Sequence, residues 1–68
     1  MKIGITVNGS PREAEPGVSL FEFIRQIGLD PSVVAALVND EIVEQRGFAE
    51  TLLKENDAVE LIRFVPGG

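Results

Sequence analysis

The clearest local code in the chain lies at residues 18–29, where start and stop signals define a single helix between strand-forming stretches. Ser19 and Glu22 stand in the S-x-x-E spacing of a capping box, in which each side chain satisfies an unpaired amide at the helix start. Val18 and Phe23 occupy the two positions of a hydrophobic staple. Leu20, Phe23, Ile24 and Ile27 recur at the i, i+3, i+4, i+7 spacing of a buried stripe. Gly28 falls where a left-handed cap residue is wanted, with Leu29 placed to cover Ile24. Phe21 sits about 100° off the stripe, one residue's rotation, and is a candidate exposed aromatic.

The flanks read as strands. Ile3, Ile5 and Val7 alternate on one face of residues 2–7, and Asn8-Gly9 is a strong hairpin signal because both residues tolerate positive φ. Residues 10–15 form the return strand, where Pro11 marks an edge, and Pro16-Gly17 turns the chain. Asp30-Pro31-Ser32 breaks the helix, with Asp30 capping a short turn. Periodicity alone leaves the apolar run at residues 33–39 open between strand and helix. Asn39-Asp40 followed by Glu41-Ile42-Val43 favours a strand, a tight turn and a short strand. Residues 44–53 form a polar connection with a helical turn, anchored by Phe48, Leu52 and Leu53, and residues 54–57 are a turn cluster. Residues 58–65 are the last strand. The order predicts an α+β fold: a mixed sheet of four to five strands with one main helix across one face. A terminal strand in the middle, parallel to the first, lets that helix cover the whole sheet.

With 68 residues the chain holds one domain, and it has neither Cys nor His to staple it. Mean hydropathy of +0.16 argues against disorder. Without thiol or imidazole there is no ordinary zinc site and no common nucleophile–base pair. A chain this small barely encloses a ligand pocket of ~300 Å³, so an autonomous enzyme is disfavoured. A net charge of −5 disfavours nucleic acid and anionic membrane and favours a basic partner surface. No apolar run approaches the ~18 residues that span a bilayer. Residues 1–7 alternate where a signal peptide would not, which points to a cytoplasmic protein.

The remaining signal is Val65-Pro66-Gly67-Gly68. At a glycine frequency near 7%, roughly one chain in two hundred ends Gly-Gly by chance. Here a strand leads straight into the dipeptide. Pro66 holds its own φ and keeps Val65 extended, so the last four residues reach roughly 13–14 Å. Lacking Cβ atoms, Gly67 and Gly68 can thread a narrow channel. A terminal carboxylate is ionised at neutral pH, able to attack an activated phosphate and then to pass its acyl group on. Such a tail is acted upon and needs no catalytic side chain.

These features in order resemble the ubiquitin-like β-grasp sulfur carriers of the ThiS/MoaD family, most of all the branch serving thiamine biosynthesis. The resemblance runs through Val7-Asn8-Gly9, Ser19-Leu20, Ala36-Leu37-Val38-Asn39-Asp40-Glu41-Ile42-Val43, Leu53-Lys54-Glu55-Asn56-Asp57, Val59-Glu60, Arg63-Phe64-Val65 and Gly67-Gly68. Asn56 stands where the family usually has Gly, and Pro66 where it often has a small flexible residue. The resemblance implies a β-grasp domain at residues 1–65, a flexible tail at 66–68 and a monomer when free. It implies that a ThiF-like adenylyltransferase, using ATP and Mg2+, adenylates Gly68. A persulfide donor then converts it to a thiocarboxylate, and the sulfur passes to a ThiG-like thiazole synthase. Only Gly68 changes covalently, Gly67 gives passage, and the chain itself binds no cofactor or metal and has no catalytic residue.

For docking, alternation puts Glu60, Ile62 and Phe64 on one face of the last strand. Ile62 and Phe64 either form an apolar patch beside the tail or are covered by neighbouring strands. Phe21 is either a partner contact or an ordinary surface aromatic. Arg63 either meets an acidic partner or is solvated. Asp40, Glu41 and Glu44 lack calcium-loop spacing and read as a solvated turn. The alternatives to a thiamine carrier are a molybdopterin-type or other sulfur carrier, a ubiquitin-like modifier joined through Gly68, and a docking module with an incidental Gly-Gly.

Overall fold

A computed structural model describes residues 1–64. Its five strands are β1 (Ile3–Val7), β2 (Ser10–Ala14), β3 (Val34–Val38), β4 (Glu41–Val43) and β5 (Ala58–Arg63), ordered β2-β1-β5-β3-β4 in one mixed sheet. The helix α1 (Leu20–Gln26) crosses one face. The last strand lies in the middle, parallel to β1 and antiparallel to β3, as the coverage argument required. Asn8 (φ 51°) and Gly9 (φ 84°) turn β1 into β2, and Asn39 (φ 53°) and Asp40 (φ 70°) turn β3 into β4. Successive positive φ values give these turns the twist of the strands they join. Asn56 adopts φ 72°, so it supplies the left-handed turn that a glycine would otherwise provide.

The helix forms where its local code places it. Ser19 Oγ accepts the Glu22 amide at 3.1 Å, while the Glu22 carboxylate lies 3.8 Å from Arg25, so half of the capping box is made. The Leu20 amide is taken up by the Thr51 carbonyl at 2.7 Å. At the other end Gly28 (φ 91°) donates to Arg25 O and Leu29 to Ile24 O, the paired bonds of a Schellman cap. Leu20, Phe23 and Ile24 are buried against Ile5, Val7, Val34, Ala36, Val59 and Leu61 of the sheet. Gln45–Glu50 forms a 3-10 turn that inserts Phe48 into this core.

Three expectations need correction. Leu52 is not an anchor: it is 55% exposed, because it and Leu53 are neighbours in an extended segment and only Leu53 faces inward. Phe21 is not freely exposed but half-buried against the core, with the Arg25 guanidinium 5.9 Å from its ring centroid. The final strand ends at Arg63, although the Phe64 amide still donates to Val33 O at 3.0 Å. Val65 and the tail at residues 66–68 lie outside the described residues.

Asp30 caps the short 3-10 turn Pro31–Val33, accepting from the Ser32 amide at 2.9 Å and the Ser32 hydroxyl at 2.8 Å. The amide bond first, and the hydroxyl second, hold its carboxyl below the usual carboxylate range. A depressed folded value contributes stability above the unfolded pKa of about 3.9, and that contribution is lost as pH falls through the folded value. Asp30→Ala therefore melts below the wild type at neutral pH. Thermal scans across the acid range will show the two curves converging.

Candidate functional site

The C-terminal half of β5 is held on both sides. On one side β3 pairs with it from Val34↔Arg63 to Val38↔Val59. On the other, β1 ends at Val7, and Asn8 takes over the ladder with its side chain. Asn8 Oδ1 accepts the Leu61 amide at 2.8 Å and Asn8 Nδ2 donates to Leu61 O at 3.2 Å. At its start, β5 is tied to the β3–β4 turn by Asp57, which is 6% exposed. One Asp57 oxygen accepts from Asn39 Nδ2 at 3.0 Å and the other from the Lys54 amide at 2.8 Å. Asn39 Oδ1 in turn accepts the Ala58 amide at 2.9 Å. The strand that leads to Gly67 and Gly68 is thus fixed along its length, although those two glycines lie outside the described residues.

On the sheet face away from α1, Ile62 is 55% exposed, and beyond it Phe64 is 43% exposed. Of the two readings of this pair, exposure is the one found. The sheet adds residues that the local sequence did not single out. Ala35 lies opposite Ile62, and Leu37 lies opposite both Glu60 and Ile42, which is 79% exposed. Exposed apolar side chains therefore flank Glu60 across three strands beside the root of the tail. Ile42 alternates with the inward Val43 in a three-residue strand, so its exposure was legible. Its place level with Leu37, on the same face as Ile62, was not, because it depends on the long-range register of β3 with both neighbours.

Phe21 does not join this face. It lies on the helix side, lining a shallow cavity of about 190 Å³ with Pro31, Gln45 and Phe48. Asp40, Glu41 and Glu44 do not converge; Glu44 pairs with Arg46 at 2.8 Å. Among the described residues, no group of three or more His, Cys, Asp or Glu is arranged to hold a metal ion. No helix among them is long and apolar enough to cross a membrane.

A sequence model of the ThiS family matches residues 5–68, nearly the whole chain and including both terminal glycines. The chain belongs to the ThiS family. Among ThiS proteins, the sulfur carrier protein ThiS of Thermus thermophilus is 31% identical over 64 residues, covering 94% of this chain and 98% of the relative. The crystal structure of the thiamine biosynthesis protein ThiS from Geobacter metallireducens superposes with a TM-score of 0.82 at 29% identity. That superposition covers 97% of this chain and 100% of the Geobacter one, and establishes the β-grasp fold. A thiazole synthase of Magnetococcus marinus is 33% identical over 64 residues, covering 94% of this chain. This ThiS-family chain spans only 20% of that synthase's length, and the same fraction of a second thiazole synthase, from Paramagnetospirillum magneticum.

Proposed function

We propose that this chain carries sulfur for thiazole formation in thiamine biosynthesis, with Gly68 as the one covalently modified residue. The observation that carries this reading is the near end-to-end match to a sulfur carrier protein, together with a family match that runs through Gly67 and Gly68. The rigid delivery of β5 toward those glycines supports it. In the first step a Gly68 carboxylate oxygen attacks the α-phosphorus of ATP, held with Mg2+ by a ThiF-like adenylyltransferase, and pyrophosphate leaves. In the second, the terminal sulfur of a persulfide attacks the acyl carbon and expels AMP, leaving an acyl disulfide. A thiol then takes the donor's sulfur as a disulfide and frees the thiocarboxylate.

The chain is a co-substrate in this cycle and not a catalyst. Gly67 lets the tail enter both active sites. Ile62 and Phe64, extended by Ile42 and Leu37, form the docking face. Phe21, outside that face, is a second and separate candidate contact. A ThiG-like thiazole synthase receives the sulfur. The similarity to a segment of two thiazole synthases supports that partnership, because a related domain is part of chains bearing that name. The proposed setting is the cytoplasm, with the chain a monomer between encounters.

Reconstitution tests the reading. The protein, its host's adenylyltransferase, ATP, Mg2+, a labelled persulfide donor and thiazole synthase should together yield labelled thiazole, and omission of the chain should stop it. Label reaching a different acceptor, with none in thiazole, would assign the chain to another sulfur pathway.

A further inference from the structure

We infer that the groove on the helix side of β5 receives an extended acidic segment of the enzyme that activates Gly68. The inference rests on the carrier reading above and names a surface opposite to the exposed apolar face. The groove holds about 460 Å³ between the end of α1, the β1–β2 hairpin and the end of β5. Its apolar floor includes Val7, Ile27 and Leu61, and its polar wall includes Ser10, Arg12 and Arg63.

The charge of the occupant follows from how this chain uses its basic residues. Lys2, Arg25 and Arg46 are paired with Glu15, Glu22 and Glu44. Arg12, Lys54 and Arg63 enter no ion pair among the described residues; Lys54 lies apart, beside the β3–β4 turn, whereas Arg12 and Arg63 line the same groove. Among the described residues no acidic side chain lines it; Glu13 and Glu60 lie on the opposite face of the sheet, with Gly4 and Leu37. On a chain of net charge −5, this is a local reversal of sign. Two exposed guanidinium groups with open donor forks suit carboxylates, and such complementarity raises encounter rates and fixes orientation.

The shape of the occupant follows from the register. Arg12 lies opposite Ile5, and Val59 opposite Val7, so Arg63 stands about six residue steps farther along the sheet than Arg12. At ~3.3 Å per step the two positions are roughly 20 Å apart. An extended peptide with two spaced acidic side chains spans that separation and meets both arginines in one pose. Arg63 is also the last residue of β5. A segment lying in the groove therefore ends at the root of the tail that delivers Gly68.

ATP–pyrophosphate exchange by the purified host adenylyltransferase tests this. Arg12→Glu/Arg63→Glu should raise the KM for the carrier about tenfold or more at low ionic strength, with kcat within about twofold, since rim charges act mainly on association. Arg12→Gln/Arg63→Gln should fall between, and Arg46→Glu, away from the groove, should match the wild type. Added salt should raise the wild-type KM and leave that of the Glu variant nearly flat. Circular dichroism melts should coincide, because both arginines are exposed. An unchanged KM, or one independent of salt, would overturn the inference while leaving the carrier reading intact. So would Arg12 and Arg63 side-chain NMR signals that move with inorganic phosphate or ATP alone, or on removal of residues 65–68. Those results would assign the groove to a small anion or to the chain's own tail. If the wild type supports no exchange by an enzyme that activates another ThiS protein, the carrier reading falls, and this inference with it.

Discussion

Deleting Gly67 and Gly68 should abolish sulfur transfer and leave the melting temperature within about a degree of the wild type, since two glycines bring no side chain to the core. The core is complete without them: its buried side chains run from Ile5 to Leu61. Among the described residues, the last hydrogen bond fixing this strand is Phe64 N to Val33 O. Loss of function is total because no other residue substitutes for the Gly68 carboxylate. A partial effect would suit a docking module, in which the exposed apolar face does the work. A host strain relying on this chain should need added thiazole or thiamine when it carries the deletion, and not when it carries the intact gene.

The largest stability effect should come from Phe48→Ala. Phe48 is 1% exposed and enters the core from a 3-10 turn, one of the bulkiest of its fully buried side chains. Truncating a buried Phe costs about 3–5 kcal/mol, from lost transfer energy and an unfilled cavity. A domain of this length has only ~3–10 kcal/mol in total. With no cysteine to form a disulfide, the variant should be unfolded or nearly so at 37 °C. Urea denaturation monitored by circular dichroism measures this; a midpoint close to the wild type would mean that Phe48 is not central to the core. Leu52→Ala is the informative contrast, because Leu52 points to solvent and its truncation should be nearly neutral.

What was legible in the sequence divides along the distance over which each feature is encoded. The helix carries its whole code within a dozen residues: Ser19 at the start, the apolar stripe, and Gly28 with Leu29 at the end, all of which act in the structure. Asn8-Gly9 and Asn39-Asp40 likewise fix two hairpins through backbone preference alone. The alternation of β5 was enough to face Val59 and Leu61 inward and Ile62 outward. The central, parallel place of the last strand was legible from the need to cover the sheet, but side-chain contacts between distant segments were not. The meeting of Ile42 and Leu37 with the Ile62 strand depends on register. The joint use of Asn39 and Asp57 depends on a contact across 18 residues. The pairing of Arg12 with Arg63 in one groove depends on β5 returning beside β1. Leu52 and Leu53 failed as a pair because adjacent residues of an extended segment cannot both face the core.

The central claim is that Gly68 becomes a thiocarboxylate, and intact-protein mass spectrometry tests it most directly. The protein would be incubated with its adenylyltransferase, ATP, Mg2+ and a sulfur donor, beside a control lacking Gly68. The account predicts a mass gain equal to one oxygen replaced by sulfur, located by fragmentation to the last residue and absent from the control. An unchanged mass, in a mixture where the adenylyltransferase is shown to be active on another carrier, would contradict it.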